Sequence, residues 1–286
     1  MPGILEATGE GIRRYDPKRH AQLGDAFGGH DPGVCALGCR AVALWLHGFA
    51  DQARRTGEKT LTLAETLSHP PSVAFSYRVY AIGLMVGRDR NRCVAVAQRL
   101  ATLAEKFDFP IFGWFGRYFM GWAMAQGPNL LDGLAMMEEA FPFIVSGHGN
   151  AAVKLYGSQL ASARFEAGRS TDALALVDHS LSTGEGPTRG LYAPEVHRLQ
   201  GSFLGRLRFS AEQAERPFRN AIEIAEVQGA FLLKLRAATS LARLWLEQGK
   251  RDEARDLLAP IYGWFTEGFD TLDLKEAKAL LDELAT

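Results

Sequence analysis

The sequence feature that most constrains the fold is a series of small residues that recurs every 40 or 41 positions along the 286-residue chain. A second series follows the first at a distance of 12 positions, and a glycine lies between the two in most copies. One such series can arise by chance, but three in register indicate a repeated structural unit. The first series is Ala41, Ala81, Gly121, Ala161, Ser202 (beside Gly201) and Ala242; the second is Ala53, Cys93, Gly133, Ala173, Ala214 and Ala254; the glycines are Gly48, Gly87, Gly127, Gly168 and Gly249, and only the copy with Leu207-Arg208-Phe209 lacks one.

The last copy, residues 236–258, shows what the unit is. Leu241, Leu244 and Trp245 are spaced by three and four residues, which places them on one face of an amphipathic helix. Gly249 follows this helix, where a glycine can adopt the left-handed backbone angles that end it. A second helix then begins. We expect the small residues to lie where the two antiparallel helices approach each other most closely.

A period near 40 residues is typical of an α-solenoid, in which helix pairs stack because none buries its apolar face alone. The sequence therefore predicts an all-α fold in a single domain, 1–286. A polar stretch from Thr183 to Pro194 is predicted to be an exposed loop. The terminal helix should cap the stack, with Leu274, Ala277, Leu280, Leu281 and Leu284 inward and Asp273, Lys275, Glu276, Asp282 and Glu283 outward. The predicted segments are a partial N-terminal repeat at 1–33, repeats at 34–68, 71–107, 110–147, 151–182, 195–228 and 230–266, and a cap helix at 271–286.

Composition excludes several classes of function. With 32 basic and 33 acidic residues the formal net charge is −1, which argues against a nucleic-acid-binding surface. The sequence has no apolar run of about 18 residues and its N-terminus has no signal-peptide pattern. We therefore expect a cytoplasmic protein with no membrane partner. Three cysteines indicate no disulfide framework, and no motif points to a cofactor.

The pattern Gly-x-x-x-x-Ala in residues 48–53, 168–173 and 249–254 resembles the turn and second helix of tetratricopeptide repeats. The usual repeat is about 34 residues long, so these would be long-helix variants. The resemblance implies a right-handed α-solenoid of about six helix hairpins with a C-terminal capping helix.

A broader resemblance rests on residues 29–35, 43–53 and 237–281. These stretches are similar to the C-terminal tetratricopeptide-like region of bacterial multidomain regulators of the cyclase/ATPase (STAND) type, and the likeness covers most of the chain. It implies the sensor or partner-docking arm of a signalling regulator, separated here from its upstream modules. No Gly-x-x-x-x-Gly-Lys-Ser/Thr phosphate loop and no cyclase-like aspartate pair occurs in this sequence. Residues 1–33 are interpreted as the second helix of a repeat whose first helix is missing.

In such solenoids the first helix of each pair usually lines the concave groove. Arginine and aromatic side chains in that groove could bind a peptide carboxylate and stack on flat groups. The alternative is that the aromatic residues form the core between repeats and that the arginines only solvate the surface. The groove candidates are Phe75, Arg78, Phe115, Tyr118, Trp122, Ser158, Leu199, Arg236 and Arg243, with His30 at the groove entrance.

Two short motifs suggest chemistry. His30-Asp31 resembles the ligand pair of metal-dependent phosphohydrolases, but the other histidines lack a suitable spacing. Asp31 before Pro32 is better explained as the N-cap of a helix. Cys35 and Cys39 could share a helix face as metal ligands, although without a second pair they are predicted to be small buried residues.

These observations leave three hypotheses. The first is a non-catalytic scaffold that binds a protein segment or a small effector. The second is a small-molecule sensor whose ligand occupies the groove. The third, an enzyme with a site near His30 and Asp31, lacks any nucleophile motif such as Gly-x-Ser-x-Gly. The oligomeric state stays open.

Overall fold

The computed structural model describes residues 2–24, 26, 28–183 and 190–286, and every regular element in that part of the chain is a helix. The all-α prediction is therefore confirmed. The chain forms two compact units, Met1–Ile144 and Val145–Thr286. None of the helices described is both long and apolar enough to cross a membrane.

In the first unit α1 packs on α3, and the consecutive helices from α3 to α7 each pack on the next. In addition, α3 packs on α5, and α5 packs on α7, so the first helices of successive pairs lie side by side. Proline opens α3, α5 and α7, where its fixed backbone angle suits the first helical position. The helices are α1 (Pro2–Arg14), α2 (Pro17–His20), α3 (Pro32–His47), α4 (Ala50–Leu67), α5 (Pro70–Val86), α6 (Arg90–Phe107), α7 (Pro110–Ala125) and the beginning of α8 (Leu130–Glu166).

The second unit repeats this packing, since consecutive helices from α9 onward contact each other, α10 packs on α12, and α12 packs on α14. Gly149, within α8, has non-helical backbone angles (φ 62°, ψ −157°) and lies close to the predicted repeat boundary. The helices after α8 are α9 (Ser170–Ser182), α10 (Ala193–Arg206), α11 (Ala211–Gln228), α12 (Phe231–Glu247), α13 (Arg251–Gly263) and α14 (Leu272–Ala285).

The small residues lie at the predicted helix contacts. A Cβ atom added to Gly121 on α7 would come within 2.7 Å of the Gly133 carbonyl oxygen on α8. The Cys93 thiol lies 3.9 Å from the carbonyl oxygen of Ala81, which accepts its hydrogen bond. In the fifth copy Gly201, beside Ser202, makes a close contact, since a Cβ added there would lie 2.8 Å from the Ala214 carbonyl oxygen. This part of the prediction is confirmed, and the short distances explain why larger residues are absent from these positions.

The turns between paired helices also follow the predicted pattern. Gly48 and Gly249 adopt φ values of 91° and 77°, in the left-handed region. In the second copy Arg88, next to Gly87, takes the left-handed conformation at φ 58°. In the fifth copy, which lacks the glycine, Arg208 takes it at φ 60°. Five of the six turns thus contain one left-handed residue, glycine or arginine, whereas the turn that holds Gly127 contains none.

Two predictions about the second unit are wrong. Asp273 was expected to face outward, but it is buried against α12, where Arg236 neutralises its charge. The end of the predicted exposed loop is also buried, because Tyr192 and Ala193 pack into the core and Pro194 lies in the first turn of α10. The middle of that loop, residues 184–189, lies outside the described residues.

Candidate binding surface

Four of the groove candidates meet on or beside the first helices of the first unit. His30 precedes α3, Arg78 lies on α5 and Phe115 lies on α7. Phe75, one turn before Arg78 on α5, contacts both His30 and Arg78. We call these four residues, together with Cys35 and Cys39 on α3, the α3–α5–α7 surface.

Arg78 is held between two aromatic rings. Its guanidinium carbon lies 5.5 Å from the centroid of the Phe75 ring and 4.8 Å from that of Phe115. Cation–π contacts of this kind fix the plane of a guanidinium. Because Arg78 is only half-buried, the arrangement suits a ligand that carries a carboxylate or another planar anion.

His30 extends this stack at the start of α3. Its ring lies 3.8 Å from the Phe75 ring, with an angle of 7° between the planes. Burial lowers the pKa of His30, the Gly28 carbonyl partly offsets this, and the charge of Arg78 lowers the pKa further. The imidazole is therefore neutral at pH 7. Its Nδ1 donates to the Gly28 carbonyl at 3.2 Å, and its Nε2 has no hydrogen-bond partner among the residues described.

Asp31 is the structural anchor of this surface. Its Oδ1 accepts a hydrogen bond from the Val34 amide at 2.9 Å, which confirms the predicted N-cap of α3. Its Oδ2 accepts from the Tyr15 hydroxyl at 2.9 Å, and its amide donates to the Ser72 hydroxyl on α5 at 2.8 Å. Both carboxylate oxygens thus hold α3 in place, which leaves a catalytic role for Asp31 without geometric support.

The two neighbouring cysteines line a cavity. Cys35 is half-buried and Cys39 is exposed, so the prediction that both are buried is wrong for Cys39. The cavity lies between α1, the segment 15–23 and α3, and has a volume of about 490 Å³. Within the described ranges, no three His, Cys, Asp or Glu side chains converge as metal ligands would. The sequence did not indicate this cavity, because the residues that line it lie on separate segments of the chain and form no motif.

Four other candidates are enclosed. Tyr118 and Trp122 are 0% and 2% exposed, in the interior of the first unit. Ser158 is buried in the second unit, where its hydroxyl donates to the Leu155 carbonyl at 2.9 Å. These positions match the alternative interpretation of first-helix residues as core. Leu199 is buried as well.

The remaining two candidates lie on α12. Arg236 is buried and donates two hydrogen bonds of 2.7 Å to the carboxylate of Asp273 on α14. Arg243 is exposed beside a shallow depression between α12 and α14. A second pair joins the buried Glu195 to the half-buried Arg198 on α10, with N–O distances of 2.7 and 2.9 Å. Burial raises the pKa of Glu195, but the charge and hydrogen bonds of Arg198 and the charge of Arg236 together outweigh burial and lower the pKa overall. Sequence periodicity gave no signal for either pair.

No protein-family profile matches the chain. The chain is similar to an uncharacterized protein of Rhizobium meliloti (strain 1021), with 27% identity over 245 residues. The match covers 86% of this chain but only 24% of the relative. The chain therefore spans about a quarter of the length of the curated relative that it matches.

Proposed function

We propose that this chain is a non-catalytic binding module, the docking arm of a longer bacterial signalling regulator. In this proposal the helix pairs form a right-handed, tetratricopeptide-like solenoid of about six hairpins. The helix pairs and their small-residue contacts support the repeat interpretation. The low coverage of the longer Rhizobium relative supports the view that such a module can be one part of a larger protein.

The observation that carries the proposal is the position of Arg78 between Phe75 and Phe115, with His30 stacked on the first ring. A half-buried guanidinium whose plane is fixed in advance loses little conformational entropy when it binds a carboxylate. The Phe75 and Phe115 side chains are 8% and 1% exposed, so the rings hold the guanidinium and Arg78 itself meets the ligand. The ligand proposed is therefore an extended protein segment that carries an acidic residue or a free C-terminal carboxylate.

A peptide-binding experiment tests this proposal. Purified full-length chain is screened against an array of acidic and C-terminally free peptides, and hits are measured by fluorescence anisotropy. Arg78→Ala should weaken binding at least about tenfold, because a charge-assisted bidentate hydrogen bond contributes roughly 1.5–3 kcal/mol. Arg55→Ala, which removes an exposed arginine on the second helix α4, is the matched control and should bind like the unaltered chain. Equal affinity of the two variants, or no peptide hit at all, would contradict the proposal.

A second candidate function is a small-molecule sensor, and the cavity between α1 and α3 favours it. Its volume of about 490 Å³ lies within the range of roughly 300–1,000 Å³ that is usual for small-ligand sites. A ligand that binds only the folded chain must raise its melting temperature. A metabolite screen by thermal shift tests this candidate. Replacement of Ala7, a cavity-lining residue exposed on α1, by Trp should abolish any shift that arises there.

A further inference from the structure

The cavity between α1 and α3 combines an apolar wall with two sulfur atoms. Its apolar lining includes Ala7, Leu23, Pro32 and Ala36, while Cys35 and Cys39 open onto it from α3. Residues four apart on a helix lie one above the other on the same face, so both thiols reach the same region of the cavity. An apolar molecule that enters the cavity therefore contacts a cysteine sulfur.

The two thiols are not equivalent. The neighbouring Cys35 thiol lowers the pKa of Cys39 to about 7, opposed by burial and assisted by the charge of Arg78. The Cys39 sulfur, and after it burial, raise the pKa of Cys35. Near neutral pH a large fraction of the exposed Cys39 is therefore thiolate, the nucleophilic form, while Cys35 keeps its proton. Cys93 differs from both, because it is buried and burial raises its pKa.

We propose that Cys39 is a covalent attachment site for small apolar α,β-unsaturated carbonyl compounds that occupy the cavity between α1 and α3. The Cys39 sulfur adds to the β-carbon and forms a C–S bond, while the carbon–carbon double bond is lost. Its electron pair forms an enolate, and the α-carbon then takes the proton of the Cys35 thiol. No group leaves and no oxidant is needed. This inference rests on the second candidate function, the sensor, and not on peptide binding at Arg78.

The test measures the labelling rate of the full-length chain with N-cyclohexylmaleimide, an apolar reagent of this class, and with acrylamide as a small polar one. Intact mass counts adducts, peptide mapping locates them, and glutathione gives the reference rate at the same pH. We expect one adduct, on Cys39, with a rate that saturates as maleimide concentration rises and that exceeds that of glutathione at least about tenfold. Acrylamide should show no saturation.

Three variants sharpen the test. Cys39→Ser, at an exposed position, should abolish the adduct. Ala7→Trp should lower the rate of labelling by the maleimide at least about tenfold, because the tryptophan fills the cavity. The rate of labelling by acrylamide should stay unchanged. Cys35→Ala should keep the site of labelling but slow the labelling several-fold, because the neighbouring thiol is lost. Circular dichroism checks that each variant is folded.

Labelling on Cys35 or Cys93 first, a rate no higher than that of glutathione, or a maleimide rate that Ala7→Trp leaves unchanged would each overturn the inference. A metabolite that raises the melting temperature without forming an adduct would leave the sensor function standing. The two failures are thus distinguishable.

Discussion

Arg236 carries its charge into the interior of the second unit, where its side chain is 8% exposed and that of its partner Asp273 is 2% exposed. Burial by itself would lower the pKa of Arg236, but the charge and hydrogen bonds of Asp273 raise it instead. Removing two charges from water costs several kcal/mol, which is offset only while both partners are present. At the scale of the residue, this pair joins α14 to α12, and the contribution of each side chain to stability depends on the presence of the other.

A double-mutant cycle tests this interpretation. Arg236→Met or Asp273→Leu alone should lower the free energy of unfolding by about 3–5 kcal/mol, because each leaves one buried charge without its partner. The double variant Arg236→Met/Asp273→Leu should be more stable than either single variant. Urea unfolding followed by circular dichroism gives these values. Additive losses in the double variant would mean that the two side chains act separately.

At the scale of the element, helix contacts in the first unit depend on the absence of side chains. Gly121 and Gly133 bring the backbones of α7 and α8 together so closely that an added Cβ on Gly121 would also lie 2.9 Å from the Cβ of Met136. Neither a carbonyl oxygen nor a Cβ atom can move without the helix that carries it. The small-residue series thus reflects a distance between helices, which is why it repeats with the length of the hairpin.

Two substitutions on the same helix separate this effect from helix propensity. Gly121→Ala should destabilise the chain by about 1–3 kcal/mol, as overpacking of a close contact usually does. Gly113→Ala, whose new Cβ would meet only the Ala104 Cβ at an ordinary 3.9 Å, should be neutral or stabilising by about 0.5–1 kcal/mol. Thermal and urea unfolding measure both. Equal effects of the two variants would show that the contact at Gly121 does not limit packing.

Features that repeat or obey local rules could be predicted from the sequence. The helical class, the contact positions of the small residues and the Asp31 cap all depend on spacing or on a single turn. Asp273 illustrates what could not be predicted. An acidic residue in the first turn of a helix is normally solvated, and only the arrival of Arg236 from another helix explains its burial. The cavity beside Cys39 escaped prediction for the same reason, since it exists only where α1 meets α3.

At the scale of the whole chain, the first helices of the first unit are the place where we propose that a partner binds. Arg78, His30 and Phe75 lie there, whereas Tyr118, Trp122 and Ser158 are enclosed and Arg236 is held by Asp273. In this proposal the second helices and the second unit make no contact with the peptide. Such a division of the chain can be tested even when the individual contacts of the ligand have not been mapped.

Hydrogen–deuterium exchange measures most directly which helices contact the peptide. The chain is compared with and without the tightest peptide from the array, at a peptide concentration well above the dissociation constant. We predict slower exchange at the start of α3 and in the parts of α5 and α7 around Arg78 and Phe115, with α4, α6 and α10–α14 unchanged. Protection confined to α4 and α6, or to the second unit, would contradict the central claim that the α3–α5–α7 surface binds the partner.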